Sequence, residues 1–257
     1  MIEFFYILMF ISFLYYTRYP TNTLIETDFD SRNISYICEK TNTFIKKSYK
    51  HEFDTLVKLQ DIDEVVNVIR STVTNSEYYI VMPYLHNWVT LCDYTGDREA
   101  FIGLFIKICC GLDKIHNMGV LHCDIKPDNI MVSPEEEIVF IDFEETGGTS
   151  GYIAPEIIHD KFDESIYTVS VDIWSLGMTM LNVYTPISIG VTVETNTDIS
   201  KYIDILSTGN EIGNEIGNEI DNLMATLFKK ILCIIPHERI GLTTIIDELK
   251  QIKTVTI

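Results

Sequence analysis

All 13 glycines of this 257-residue chain lie at Gly96 or later, so the first 95 residues contain none. That asymmetry divides the chain into two regions of different pattern. The first offers short β-rich runs at Thr23–Glu26, Ile34–Cys38, Thr43–Lys46 and Tyr78–Met82, with one helical stretch, Glu52–Leu59, between the third and the fourth. From Arg98 onward the pattern becomes long and helical: Phe101, Ile102, Phe105, Ile108, Cys109, Leu112 and Ile115 recur at helical spacing. A small β-rich N-terminal region therefore precedes a larger helical one, with the junction near residues 83–95. The class is α+β.

The composition is that of a globular chain, 46% hydrophobic and 22% charged. The length suits one large domain or one two-lobed domain, with a sizeable core. With 38 acidic against 19 basic residues the formal net charge is -19. Such a surface repels nucleic acids and acidic membranes and favours basic partners. The cysteines, Cys38, Cys92, Cys109, Cys110, Cys123 and Cys233, form no CxxC pair. They read as mostly buried free thiols in a reducing, intracellular compartment rather than as a disulfide framework.

Phe4 to Tyr16 is apolar except for Ser12. As a helix these thirteen residues would span about 20 Å, short of the ~30 Å hydrocarbon core of a bilayer. Glu3 stands where a signal peptide would be basic, and no small-residue cleavage site follows. The expectation is a segment packed on the domain, with membrane contact through residues 4–16 as the alternative. The triple Gly-Asn-Glu-Ile repeat at Gly209–Ile220 reads as an exposed loop, because a four-residue period drifts around a helix and each glycine costs roughly 1 kcal/mol there.

The chemistry concentrates in His122-Cys123-Asp124-Ile125-Lys126-Pro127-Asp128-Asn129, followed after the apolar run Ile138–Ile141 by Asp142-Phe143-Glu144. Moving a phosphoryl group needs a base near a hydroxyl, cations on the phosphates, and oxygen ligands for Mg²⁺. Asp124 can accept a hydroxyl proton. Lys126 can neutralise the transferring group, and Asn129 and Asp142 are hard oxygen ligands. Any one of these residues alone would be an ordinary polar turn; the ordered set is more specific.

From about residue 22 to 252 the chain resembles eukaryotic protein kinases. His122, Asp124 and Asn129 match the family's catalytic loop, with Cys123 in place of an Arg. Asp142-Phe143-Glu144 resembles Asp-Phe-Gly, with Glu144 for the Gly. Gly148-Thr149-Ser150-Gly151-Tyr152-Ile153-Ala154-Pro155-Glu156 is similar to the substrate-docking segment. Asp172-Ile173-Trp174-Ser175-Leu176-Gly177 matches the next helix, whose Asp braces the catalytic loop. Pro236-His237-Glu238-Arg239 supplies the Arg that pairs with Glu156 in the family. Several motifs in order are far more specific than one. The resemblance implies a two-lobed protein-kinase fold, with a hydrophobic extension at 1–20, an N-lobe at 21–84 and a C-lobe at 85–257. Lys126 beside Pro127 implies preference for serine and threonine.

In the N-terminal region Thr43-Phe44-Ile45-Lys46 sits where the resemblance places a lysine for the α/β-phosphates, which makes Lys46 that lysine and Glu52 its carboxylate partner. Only six residues separate them, fewer than is usual in the family. Tyr78–Leu85 resembles the strand and hinge behind the adenine. Met82 is then the gatekeeper. Pro83 keeps the carbonyl that an adenine amino group needs, and Leu85 supplies an amide. A Pro after the gatekeeper and the short lysine-to-helix link are similar to kinases of large DNA viruses.

The departures weigh against tight nucleotide binding. No Gly-x-Gly-x-x-Gly exists; its place is Thr27 to Arg32, where Phe29 obstructs phosphates and Asp28 and Asp30 repel them. Phe44 replaces a small residue that lies against adenine, and it faces the same way as Lys46. Two functions follow from the resemblance. One is a serine/threonine protein kinase using ATP and Mg²⁺ on a protein substrate, with Asp124 as base. The alternative is a pseudokinase, a binding or scaffold module on the same fold.

Overall fold

A computed structural model of the chain describes residues 24–26, 35–38, 42–74, 77–159, 163–185, 199–201, 203, 204, 206 and 219–255. The apolar stretch at 4–16, the Thr27–Arg32 turn and most of the Gly-Asn-Glu-Ile repeat lie outside the described residues. Contacts divide the chain into two compact units. One holds the residues up to Tyr49 together with Val68–His86; the other holds Lys50–Asn67 together with Asn87 onward.

The first unit is a five-stranded antiparallel sheet of order β1-β2-β3-β5-β4. Its strands are β1 (Leu24–Glu26), β2 (Ser35–Cys38), β3 (Thr43–Ser48), β4 (Arg70–Thr74) and β5 (Glu77–Pro83). The apolar runs foresaw all but β4. That strand, Arg-Ser-Thr-Val-Thr, has no hydrophobic alternation because it is an edge strand; its pairing with β5 (Ser71 opposite Ile80, Val73 opposite Tyr78) makes it a strand. In the centre, Phe44 lies opposite Met82 and Lys46 opposite Ile80. Directly opposed residues share a face of the sheet, so these four stand together. Ile45 and Val81, on the other face, are buried.

The second unit begins with α1 (Lys50–Lys58), which buries Glu52, Thr55 and Leu56. Lys50–Asn67 belongs to this unit by its contacts. The chain after α1 joins a small sheet, β6 (Val89–Thr90), β7 (Ile130–Val132) and β8 (Ile138–Phe140). The Phe140 N–H donates to the Glu64 carbonyl at 2.8 Å, and the Val66 N–H to the Phe140 carbonyl at 3.2 Å.

α2 (Arg98–Asn117) starts where Asp97 accepts the Ala100 N–H at 2.9 Å, an N-cap that satisfies one orphan donor of the first turn. It buries Ile102, Leu104, Phe105, Ile108, Cys109, Leu112 and Ile115, the stripe read from the sequence with Leu104 added and Phe101 left at the margin. After the short α3 (Pro155–His159) comes α4 (Val169–Tyr184), capped by Thr168. It is buried on nearly every side, which marks it as the central helix of this unit. α5 (Glu219–Ile231) and α6 (Leu242–Val255) complete the unit. Glu219 and Ile220, read as the end of a loop, instead open α5: beyond Gly217, the repeat's last glycine, the apolar positions Ile220, Met224, Leu227, Phe228 and Ile231 fall at helical spacing. No helix among the described residues is long and apolar enough to cross a membrane. Of the described cysteines, all free, Cys109 and Cys123 are buried as foreseen, Cys110 and Cys233 are partly covered, and Cys92 is exposed.

Candidate active site

In the second unit the segment from His122 to Asn129 links α2 to β7 through a 3₁₀ turn at Pro127–Asn129. Proline is favoured in the first turn of such a helix because its missing N–H would have no partner there. Asp172, in the first turn of α4 and fully buried, holds the start of this segment. Its two oxygens accept the backbone N–H groups of His122 (2.8 Å) and Cys123 (2.9 Å). His116 at the end of α2 bonds the same carboxylate through Nε2 at 2.8 Å. Sequence reasoning missed His116; nothing but its place at the helix end, six residues before His122, hinted at it.

Bracing Cys123 and the residue before it turns the chain sharply. Cys123 has φ of 62°, a left-handed conformation uncommon for a residue with a Cβ. The turn delivers Asp124 into a tight cluster. Asp124 Oδ2 accepts from Lys126 Nζ at 2.7 Å and from Asn129 Nδ2 at 2.9 Å. Its Oδ1 accepts from the Thr149 hydroxyl at 2.7 Å, and Thr149 in turn accepts from Lys126 Nζ at 2.7 Å. Asn129 Nδ2 also donates to the Asp124 carbonyl at 2.9 Å. Three of the residues singled out from the sequence, Asp124, Lys126 and Asn129, thus meet within hydrogen-bond distance, joined by Thr149 from 20 residues farther on.

Asp142 follows β8 on the same sheet, where the Ile141 N–H donates to the Asn129 carbonyl at 3.0 Å. It is exposed and, like Cys123, left-handed, with φ of 60°. Phe143 is buried and stacks on the His122 ring at 4.4 Å between centroids. The Glu144 N–H donates to the His122 carbonyl at 3.1 Å. His122 is therefore walled by Phe140 and Phe143. Its Nδ1 accepts the Asp124 N–H at 3.3 Å, and its buried Nε2 has no hydrogen-bond partner among the described residues. Loss of hydration holds its pKa below the usual histidine value, against the pull of Asp172, Asp124 and Asp142. Burial likewise pushes the Cys123 thiol up, so it stays neutral.

The segment at residues 148–156 is fixed by long-range contacts. Arg239 reaches Glu156 with both terminal nitrogens, at 2.6 and 2.7 Å, and lies over the Trp174 ring. The Ser175 hydroxyl donates to the Tyr152 carbonyl at 2.8 Å. Glu52, singled out as a partner for Lys46, lies in the first turn of α1 and is 6% exposed.

In the first unit Lys46 is partly covered and shares its sheet face with Phe44 and the buried Met82. The Tyr84 N–H donates to the Asn42 carbonyl at 2.9 Å, so the next pair, Thr43–Pro83, is a non-hydrogen-bonded one. Pro83 therefore costs the ladder with β3 no bond, and its carbonyl points away from β3. Leu85, just beyond β5, is partly covered.

Residues 35–249, most of the chain, match the family model described as the protein kinase domain. The chain belongs to the protein kinase family. It is 29% identical over 189 residues to the serine/threonine-protein kinase STE20 of Saccharomyces cerevisiae, covering 65% of this chain and 18% of that one. It is 28% identical over 233 residues to the serine/threonine-protein kinase SKS1 of the same yeast, covering 78% of this chain and 45% of that one. A third relative, the MAP kinase kinase skh1/pek1 of Schizosaccharomyces pombe, is 36% identical over 100 residues, covering 35% of this chain and 26% of that one. These matches span less than half the length of the relatives. The chain's α+β class, with a small sheet first and a helical part after it, is the one the sequence foretold.

Proposed function

We propose that the chain is an ATP-dependent serine/threonine protein kinase. The observation that carries this reading is the closed cluster of Asp124, Lys126, Asn129 and Thr149. Asp124 is the base that takes the proton of a substrate hydroxyl. Two donors on Oδ2 and one on Oδ1 hold its carboxylate in one orientation, so little reorganisation is needed when the hydroxyl arrives. Lys126 is held beside it and supplies positive charge to the transferring group.

The residues present fit Mg²⁺. Asn129 turns its Nδ2 onto Asp124, which leaves the amide oxygen as the atom for a cation. Asp142 adds an exposed carboxylate two residues beyond the Phe140 that pairs with Ile130. No cluster of three or more His, Cys, Asp or Glu side chains among the described residues could hold a metal by itself. Mg²⁺ in phosphate-handling sites takes one or two carboxylates together with waters and substrate phosphates. When bound, it would neutralise charge on those phosphates. Lys46, Met82, Pro83 and Leu85 would hold the nucleotide, with Glu52 orienting the lysine, and a basic protein would suit the net charge of -19.

A second reading, a pseudokinase, is favoured by Phe44 on the face of Lys46 and Met82, where its ring takes space from an adenine. One experiment separates the two: labelled ATP·Mg²⁺ with histone H1, parent against Asp124→Asn. Label transferred by the parent and lost in the variant supports the kinase; no transfer by either supports the binding module.

A further inference from the structure

The stretch from Asp142 to Glu156 is only 15 residues long, and hydrogen bonds from outside it hold its middle. The Gly147 N–H donates to the Tyr167 hydroxyl at 3.0 Å. Gly147 and Gly148 both have positive φ, 101° and 117°, and a Cβ on Gly148 would stand 3.0 Å from the Cys123 carbonyl. The two glycines thus form a turn pressed against the catalytic loop, and the next residue is Thr149, whose hydroxyl reaches Asp124 and Lys126. Tyr167 itself sits just before the Thr168 cap of α4, the helix whose Asp172 braces Cys123. Both braces on the site, Asp172 on the loop and Tyr167 on the turn, come from the same helix start.

Phosphate-driven ordering of such a segment needs a cation to receive the phosphate. The residue before Asp124 is here a buried, neutral thiol, Cys123, and Glu144 and Glu145 add negative charge along the exposed part of the segment. We infer that Tyr167 is a positioning residue that replaces a phosphate clamp: its hydroxyl fixes the Gly147–Gly148 turn, so that Thr149 is set on Asp124 in the unphosphorylated protein. This rests on the kinase reading for its consequence in turnover, but the clamp can be measured without turnover.

The test uses the full chain. Hydrogen exchange is followed in the peptide covering residues 144–151 for the parent, for phosphatase-treated parent and for Tyr167→Phe, which keeps the ring and removes only the hydroxyl. Loss of one hydrogen bond predicts exchange about fivefold faster in that peptide in Tyr167→Phe, with α4 unchanged, and no change after phosphatase. In parallel, transfer from ATP·Mg²⁺ to histone H1 is expected to fall about fivefold in kcat with KM for ATP unchanged. Because Tyr167 acts through Thr149, Tyr167→Phe added to Thr149→Ala should cost nothing further. Unchanged exchange in Tyr167→Phe, protection lost on phosphatase treatment, or additive losses in the double variant would overturn the clamp. If parent and Asp124→Asn are equally inactive, the kinase reading fails, and the exchange data still decide whether Tyr167 holds the turn.

Discussion

Arg239 and Glu156 are 83 positions apart in sequence and joined by two parallel hydrogen bonds of 2.6 and 2.7 Å. The guanidinium is fully covered, and its remaining donors go to the carbonyls of Ser170, Cys233 and Ile234. One side chain thus ties Glu156, the start of α4 and the loop before α6. An ammonium cannot reproduce that planar fork. Arg239→Lys should lower stability by about 3 kcal/mol, because it leaves Glu156 and several partly buried carbonyls short of donors. Urea unfolding measures this; a loss under about 1 kcal/mol would mean the pair behaves as a surface bridge.

For the metal, Asp142→Ala and Asn129→Ala should each abolish Mg²⁺-dependent transfer. The two should differ in stability. Asp142 is exposed, whereas Asn129 is buried and bonded twice to Asp124, so loss of Asn129 should cost more, about 1–2 kcal/mol. Transfer retained by Asp142→Ala would sink the proposed metal site.

Phe44 should limit nucleotide binding. Trimming it opens the sheet face shared with Lys46 and Met82. We expect ATP·Mg²⁺ to bind weakly to the parent and more tightly to Phe44→Ala by about 1 kcal/mol, roughly fivefold. Calorimetric titration of both forms decides it, and equal affinities would exclude the ring as the obstacle.

His122 makes stability depend on pH. Its folded pKa lies below the ordinary value of 6.5. Above that value both folded and unfolded forms are neutral and nothing is lost. As pH falls below about 6.5 the unfolded chain takes up a proton that the buried ring refuses, so stability drops until the folded pKa is passed. His122→Asn, whose amide oxygen can still accept the Asp124 N–H, should show a smaller loss of melting temperature between pH 7.5 and 5.5. Parallel curves for parent and variant would show that the ring stays protonated or solvated in the folded state.

The sequence alone determined the α+β class, the core stripe of α2, most strands of the first sheet, and the polar residues Asp124, Lys126 and Asn129 that the fold brings together. These are legible because periodic burial and short-range motifs are written into neighbouring positions. It named Arg239 for Glu156 only through resemblance to a family. It did not find β4, whose polar residues become a strand only by pairing with β5, nor the helical start at Glu219, which the preceding repeat concealed. Nor did it find His116 on Asp172 or Tyr167 on Gly147. Those contacts join positions 56 and 20 residues apart. Which distant groups share a buried carboxylate or a single N–H is decided by how the elements pack, because the nearest hydrogen-bond partner in space leaves no periodic trace along the chain.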